Sequence, residues 1–221
     1  MKTIIISFIV LIIISCSTQT QITGIWLDEK YQAEDFNKIA VIAITSNIKN
    51  REIVENALVN KLKEIGYHTT VPGSAIITHQ MVKTVNKDLL KKALQKESID
   101  GVLVISLLDI KEETHYVPGS DSYYQPYAYG SYYGSFYDYY GYNYNRVYSP
   151  GYYQTSTQIY LESNFYSLQS DKLIQTVQSE TINPADISDL ARSYSNVLIQ
   201  QLVTGRVLKN KAIIEKQNSK K

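Results

Sequence analysis

Two continuous apolar runs, Ile39-Ala-Val-Ile-Ala-Ile44 and Gly101-Val-Leu-Val-Ile-Ser-Leu-Leu108, constrain this chain more than any other feature. A strand that shows one face to water alternates polar and apolar residues, whereas a run without alternation must be covered on both faces. Both runs therefore read as central strands, the second parallel to the first. Between them Val54, Leu58, Leu62 and Ile65 recur at helical spacing, with Asn50 as the expected cap and Gly66 as a left-handed stop. Residues 67–71, closed by Pro72-Gly73, read as a short strand. Residues 88–97 read as a helix with Leu89, Leu90, Ala93 and Leu94 inward. Strand, helix, strand, helix, strand in this order favours right-handed crossovers with helices packed on the sheet.

Further along, residues 156–168 and 173–181 are joined by Gln169-Ser-Asp-Lys172, which has the turn chemistry of a hairpin. Asn183-Pro184 then offers a cap and a first-turn proline. Ile187, Leu190, Tyr194, Val197, Leu198, Gln201 and Leu202 mark one helical face, closed at Gly205. The expected fold is a single α/β domain over residues 38–205. It has a mixed sheet of about five strands with helices packed on it, and a Tyr/Gly-rich insertion between strands at 115–153.

The beginning of the chain carries an address. Lys2 precedes an apolar stretch at residues 4–14, interrupted only by Ser7, and Ser15-Cys16-Ser17-Thr18 follows. This is the pattern of a secretory signal, residues 1–15, and it is shorter than the ~20 apolar residues that cross a bilayer. Ile13-Ile14-Ser15-Cys16 resembles the lipobox of bacterial lipoproteins. The resemblance implies cleavage before Cys16 and lipidation there by diacylglycerol and an acyl chain, palmitate being typical. Cys16 is the sole cysteine, so the folded part has no disulfide and is held by its core. Residues 16–37 read as a polar tether in which Trp26 or Phe36 docks on the body. Residues 206–221 read as a basic, solvated tail. Setting aside Lys2, the charges balance, which leaves no field for nucleic acid.

Fifteen of the twenty tyrosines fall between Tyr116 and Tyr153, in a segment broken by five glycines and three prolines and nearly free of aliphatic residues. It cannot make a dry core, because each buried phenol needs a partner. Three readings stand side by side. It is a hydrated low-complexity loop; or a recognition surface for protein or glycan, since tyrosine gives rigid contact area at low entropy cost; or a site of self-association. The candidate binding surface comprises Tyr123, Tyr124, Tyr127, Tyr129, Tyr132, Tyr133, Tyr137, Tyr139, Tyr140, Tyr142, Tyr144 and Tyr148.

Catalytic signatures are missing from the sequence. Gly101 lacks the sequel of a phosphate loop. His68, His79 and His115 have no metal-ligand spacing, and Ser106 and Ser179 have no nucleophile-elbow context. Asp28-Glu29, Glu34-Asp35 and Glu112-Glu113 read as solvated pairs rather than carboxylates facing across a cleft. Asp100 reads as a turn residue. The expectation is a non-enzyme with no cofactor and no metal.

Phe36-Asn-Lys-Ile-Ala-Val-Ile-Ala-Ile44, the helix at residues 51–66 and Ile99-Asp-Gly-Val-Leu-Val-Ile-Ser106 together resemble a class of small bacterial lipoprotein domains. That class includes the penicillin-binding-protein activator lipoprotein, the curli-secretion lipoprotein and the amino-terminal domain of TolB. The Tyr-rich insertion departs from its pattern. The resemblance implies a tethered, non-catalytic periplasmic adaptor that binds an envelope protein. The alternatives are a glycan-binding or adhesive lipoprotein working on peptidoglycan or polysaccharide, and an oligomerising structural one. Ser17 resembles the outer-membrane sorting pattern, which implies the periplasmic face of that membrane. In a single-membrane organism the site would be the cell membrane.

Overall fold

The computed structural model describes residues 18–77, 87–117, 136, 137, 140, 144 and 151–219. Cys16 and Ser17 lie outside them. The chain divides into two compact units, one of Met1–Ile110 with Gln158–Lys221 and one of Lys111–Thr157. Its elements are β1 (Gln19–Leu27), β2 (Ile39–Ile44), α1 (Ile48–Glu64), β3 (Val71–Pro72), α2 (Gly73–Ile76), α3 (Lys87–Lys96), β4 (Gly101–Val117), β5 (Tyr152–Ser167), β6 (Lys172–Ile182), α4 (Ile187–Thr204) and α5 (Lys211–Asn218). The six strands form one mixed sheet in the order β1-β6-β5-β4-β2-β3, with helices packed on it, so the α/β class holds.

The two apolar runs pair as their composition demands and are covered at their starts, but Ile44, Leu107 and Leu108 at their far ends are exposed. β2 pairs in parallel with β4, from Ile39 opposite Gly101 to Ile44 opposite Ser106, and with the short β3. Ile39, Val41, Leu103 and Ile105 face a core that includes Val54, Leu58 and Leu62 of α1 and Leu190, Tyr194, Leu198 and Leu202 of α4. Ala40 and Val102 face the other way, against Leu94 of α3 and Ile99. Phe36 is buried and meets Phe165 edge-on at 5.0 Å. Burying each ring contributes about 1.5–3 kcal/mol. Gly101 has no side chain because the pair packs on it: a Cβ there would lie 3.0 Å from Phe36 and 3.1 Å from Phe165.

β5 and β6 form the expected antiparallel hairpin. The sixth strand is β1, in a segment expected to be a tether. It pairs antiparallel with β6 from Gln19 opposite Ile182 to Leu27 opposite Gln175. A bulge between Ile22 and Gly24 explains why no alternation is visible, since one extra residue shifts the phase of the period-2 pattern. Hydroxyls tie the start of β1 to α4. Thr20 Oγ1 lies 2.8 Å from both Thr181 Oγ1 and Ser193 Oγ, and Thr18 donates to Asp189.

Local signals were displaced by a few residues in several places. Asn47, not Asn50, caps α1: its side chain accepts from the Asn50 N–H at 3.1 Å. Asp186, not Asn183, caps α4 by accepting from the Ser188 and Asp189 N–H groups, both at 2.8 Å. Gly66 does take the left-handed turn (φ 101°), but after α4 that role falls to Arg206 (φ 60°) rather than Gly205. The strand expected over 67–71 shrinks to Val71–Pro72, since Tyr67 turns into the core. Leu89 and Leu90 of α3 are exposed, while Leu94 in its last turn is buried with Ala40 and Val102 of the sheet. Of the two anchors expected in the lead, Phe36 docks and Trp26 stays half exposed.

The basic tail is not frayed through residue 218. Asn210 caps α5. Lys211 donates to the Phe36 carbonyl at 2.7 Å and lies 3.5 Å from Asp35 and 4.6 Å from the Tyr67 ring centroid. The Ala212 N–H donates to Ile65 O at 3.2 Å.

Candidate functional site

In the second unit, three of the twelve candidate tyrosines, Tyr137, Tyr140 and Tyr144, fall among the described residues. Tyr123, Tyr124, Tyr127, Tyr129, Tyr132, Tyr133, Tyr139, Tyr142 and Tyr148 lie outside them. Phe136, Tyr137, Tyr140 and Tyr144 are helical. Spacing of four residues puts Phe136, Tyr140 and Tyr144 on one face, and their rings stack: 6.0 Å and 30° for the first pair, 5.8 Å and 28° for the second. Tyr137 meets Phe136 edge-on at 5.4 Å. Phe136 is 72% and Tyr137 83% exposed, so these rings present their area to solvent rather than filling a core. Counting tyrosines alone missed Phe136, although Phe136-x₃-Tyr140-x₃-Tyr144 is a readable helical spacing.

The strand ends of this unit are zipped by side chains. Thr114 and Thr155 hydroxyls are 3.0 Å apart, and Tyr116 packs on Tyr153 at 5.3 Å. Gly151 must be a glycine here, because a Cβ would overlap the Tyr116 hydroxyl.

The first unit has an open polar sheet face. Residues opposite one another on antiparallel strands share a face. Trp26, Thr176 and Asn164 therefore form one row, Gly24, Gln178 and Glu162 the next, and Gln21, Glu180 and Tyr160 the third. Glu162 accepts from Asn164 and Gln178, each at 3.0 Å. These two bonds, Gln178 first, hold its carboxyl below the usual carboxylate range. Glu180 accepts from the Tyr160 hydroxyl at 2.9 Å and from Gln21 at 2.7 Å.

The end of β2, where parallel sheets often hold ligands, is filled by protein. Glu55, fully buried, accepts from Ala43 N–H at 3.0 Å, Arg51 Nε at 2.8 Å and Ser74 N–H at 2.7 Å. This arrangement pins α1 and the start of α2 to the strand end. An open groove of about 340 Å³ between α1 and α4 is lined by Asn56, Asn60, Arg192 and Asn196, among others. Another of about 500 Å³ lies where Thr18 and Gln19 pass Asp189, Ser193 and Asn196. In the second groove the hydroxyls are taken up within the fold, Thr18 donating to Asp189 and Ser193 to the Thr18 carbonyl at 3.0 Å.

His68 and His115 are exposed, and His79 lies outside the described residues. Among the described residues no three His, Cys, Asp or Glu side chains gather at metal distance, and no helix is long and apolar enough to cross a membrane. Asp100 sits in the turn before β4 and ties it to the approach to β2, its carboxylate accepting from the Asn37 and Lys38 N–H groups at 2.7 and 2.9 Å.

No protein-family profile matches the chain, and no curated protein matches it. Among solved structures it is similar to the PelC dodecamer from Paraburkholderia phytofirmans, with 12% identity and a TM-score of 0.40, over 82% of this chain and 95% of that one. A variant of the same dodecamer gives 11% and 0.41 over the same shares. Lipoprotein GNA1162 from Neisseria meningitidis gives 12% and 0.38, over 76% of this chain and 98% of that one.

Proposed function

We propose that this chain is a lipid-anchored, non-catalytic lipoprotein of the bacterial envelope, an adaptor that binds a protein partner through the aromatic surface of its second unit. The observation that carries the reading is the exposed ladder of Phe136, Tyr140 and Tyr144 with Tyr137 beside it. Aromatic side chains are enriched at protein interfaces, where each brings large area with few rotors to freeze. Rings already stacked on a helical turn lose less freedom on binding than free ones do. Lipid at Cys16 would confine that surface to the membrane. The Ser17 pattern assigns it to the periplasmic face of the outer membrane, or to the cell membrane where there is only one.

Photocrosslinking in cells from position 137, followed by mass spectrometry, tests the adaptor role. One dominant envelope protein is expected, lost in a Phe136→Ala/Tyr140→Ala variant. A crosslink pattern that follows protein abundance would refute it. Labelled palmitate should enter the wild-type chain and not Cys16→Ala; equal labelling would remove the anchor from the proposal.

A further inference from the structure

The structure assigns a second binding surface, on the first unit. We propose that the outer face of β1, β6 and β5 binds a glycan chain without acidic sugars, with Trp26 as the stacking platform. Trp26 is 50% exposed on an edge strand, in the same row as Asn164. An indole on a sheet face is a flat apolar plate whose N–H still needs a wet or polar neighbour. That matches the ring of a pyranose, which has apolar C–H faces and a rim of hydroxyls.

The neighbours of Trp26 supply partners for such a rim. Asn164, Gln178 and Glu162 are planar groups, and Tyr160 with Glu180 adds a phenol and a second carboxylate. All are fixed in orientation by the bonds among them. Amides and carboxylates keep donor and acceptor capacity beyond one bond each, so vicinal hydroxyls can be met by groups that need no reordering. Gly24 keeps the platform clear, leaving Gln178 room to cross to Glu162: a Cβ there would sit 3.2 Å from the Gln178 side-chain oxygen.

Charge selects the class of glycan. The three rows hold two carboxylates and no lysine or arginine, so a polyuronate or sulfated chain is repelled. A protein partner would call for an apolar centre larger than one indole. The surface lies outside the Tyr-rich segment, and the assignment does not depend on the adaptor role.

The test uses the full chain, solubilised in detergent, on an array of immobilised oligosaccharides. Neutral probes are β-glucan, α-glucan, mannan and chitin oligomers; acidic probes are polyuronate and sulfated chains. At least one neutral probe should retain the protein, with affinity falling about tenfold or more in Trp26→Ala, the loss expected when a stacking contact disappears. Trp26→Phe should keep part of the binding, and Gln178→Ala should weaken it with the ring intact. Unchanged melting temperatures in these variants separate binding from folding. Four results overturn the proposal: no neutral probe retained; equal retention of Trp26→Ala; acidic probes bound as tightly as neutral ones; or loss only when residues 118–150 are deleted, which would move glycan binding to the Tyr-rich segment.

Discussion

The hydroxyl pair at the centre of the fold gives a sharp test of how the sheet is joined to α4. Tyr194 is fully buried, and its hydroxyl lies 2.5 Å from that of Ser163, itself buried on β5. Tyr194→Phe keeps the ring but strands the Ser163 hydroxyl, which costs about 1–3 kcal/mol of desolvation with no return. Ser163→Ala strands the phenol at a similar cost. Removing both leaves two apolar surfaces in contact, and the double variant should lose no more than about 1 kcal/mol. The coupling energy is therefore at least about 1 kcal/mol and favourable. For a chain of this size each 1 kcal/mol moves the melting temperature by about 2–4 °C. Urea unfolding followed by circular dichroism on the four proteins reads the cycle directly. If the double variant is as unstable as the two singles added together, the hydroxyls are not each other's partner and the account of this joint is wrong.

Two other outcomes follow from the same fold. Gly66→Ala would force φ of 101° on a residue with a Cβ and drive that Cβ to 2.6 Å from the Lys211 Cβ, so a loss of about 2 kcal/mol or more is expected. Limited proteolysis should release the last helix from this variant first, and an unchanged cleavage pattern would contradict the docking of α5. Burial holds the phenols of Tyr31, Tyr67 and Tyr194 above their ordinary value. The folded chain thus keeps protons that the unfolded chain gives up, and stability should be intact below pH about 10 and fall above it. Tyr194→Phe should flatten that fall in urea midpoints measured against pH; a slope the same as wild type would assign it to other groups.

What could be read from the sequence depended on how far each signal reaches. The parallel strands were legible because cover on both faces leaves apolar runs at residues 39–43 of β2 and 101–105 of β4, and β5–β6 because its turn is local; the exposed Ile44, Leu107 and Leu108 extend those runs without being buried. The caps at Asn47 and Asp186 were misplaced because each boundary offers several Asn or Asp residues, and only hydrogen-bond geometry chooses. β1 was hidden by its bulge. Trp26 stood out as a lone aromatic, but its face is set by Thr176, about 150 residues away, and no local pattern carries that. The ladder at Phe136 was missed because composition drew attention to tyrosine rather than to spacing.

The pairing of β1 with β6 also has a consequence in time. Gln19 lies opposite Ile182, and Lys211 holds the Phe36 carbonyl. Residues 19–27 are thus completed by residues 175–182, and residue 36 by residue 211. Contacts of such sequence separation close late, so β1 can take its place only after β6 has formed. Whatever else has folded by then, the edge of the sheet and the seat of the last helix are the final parts to lock.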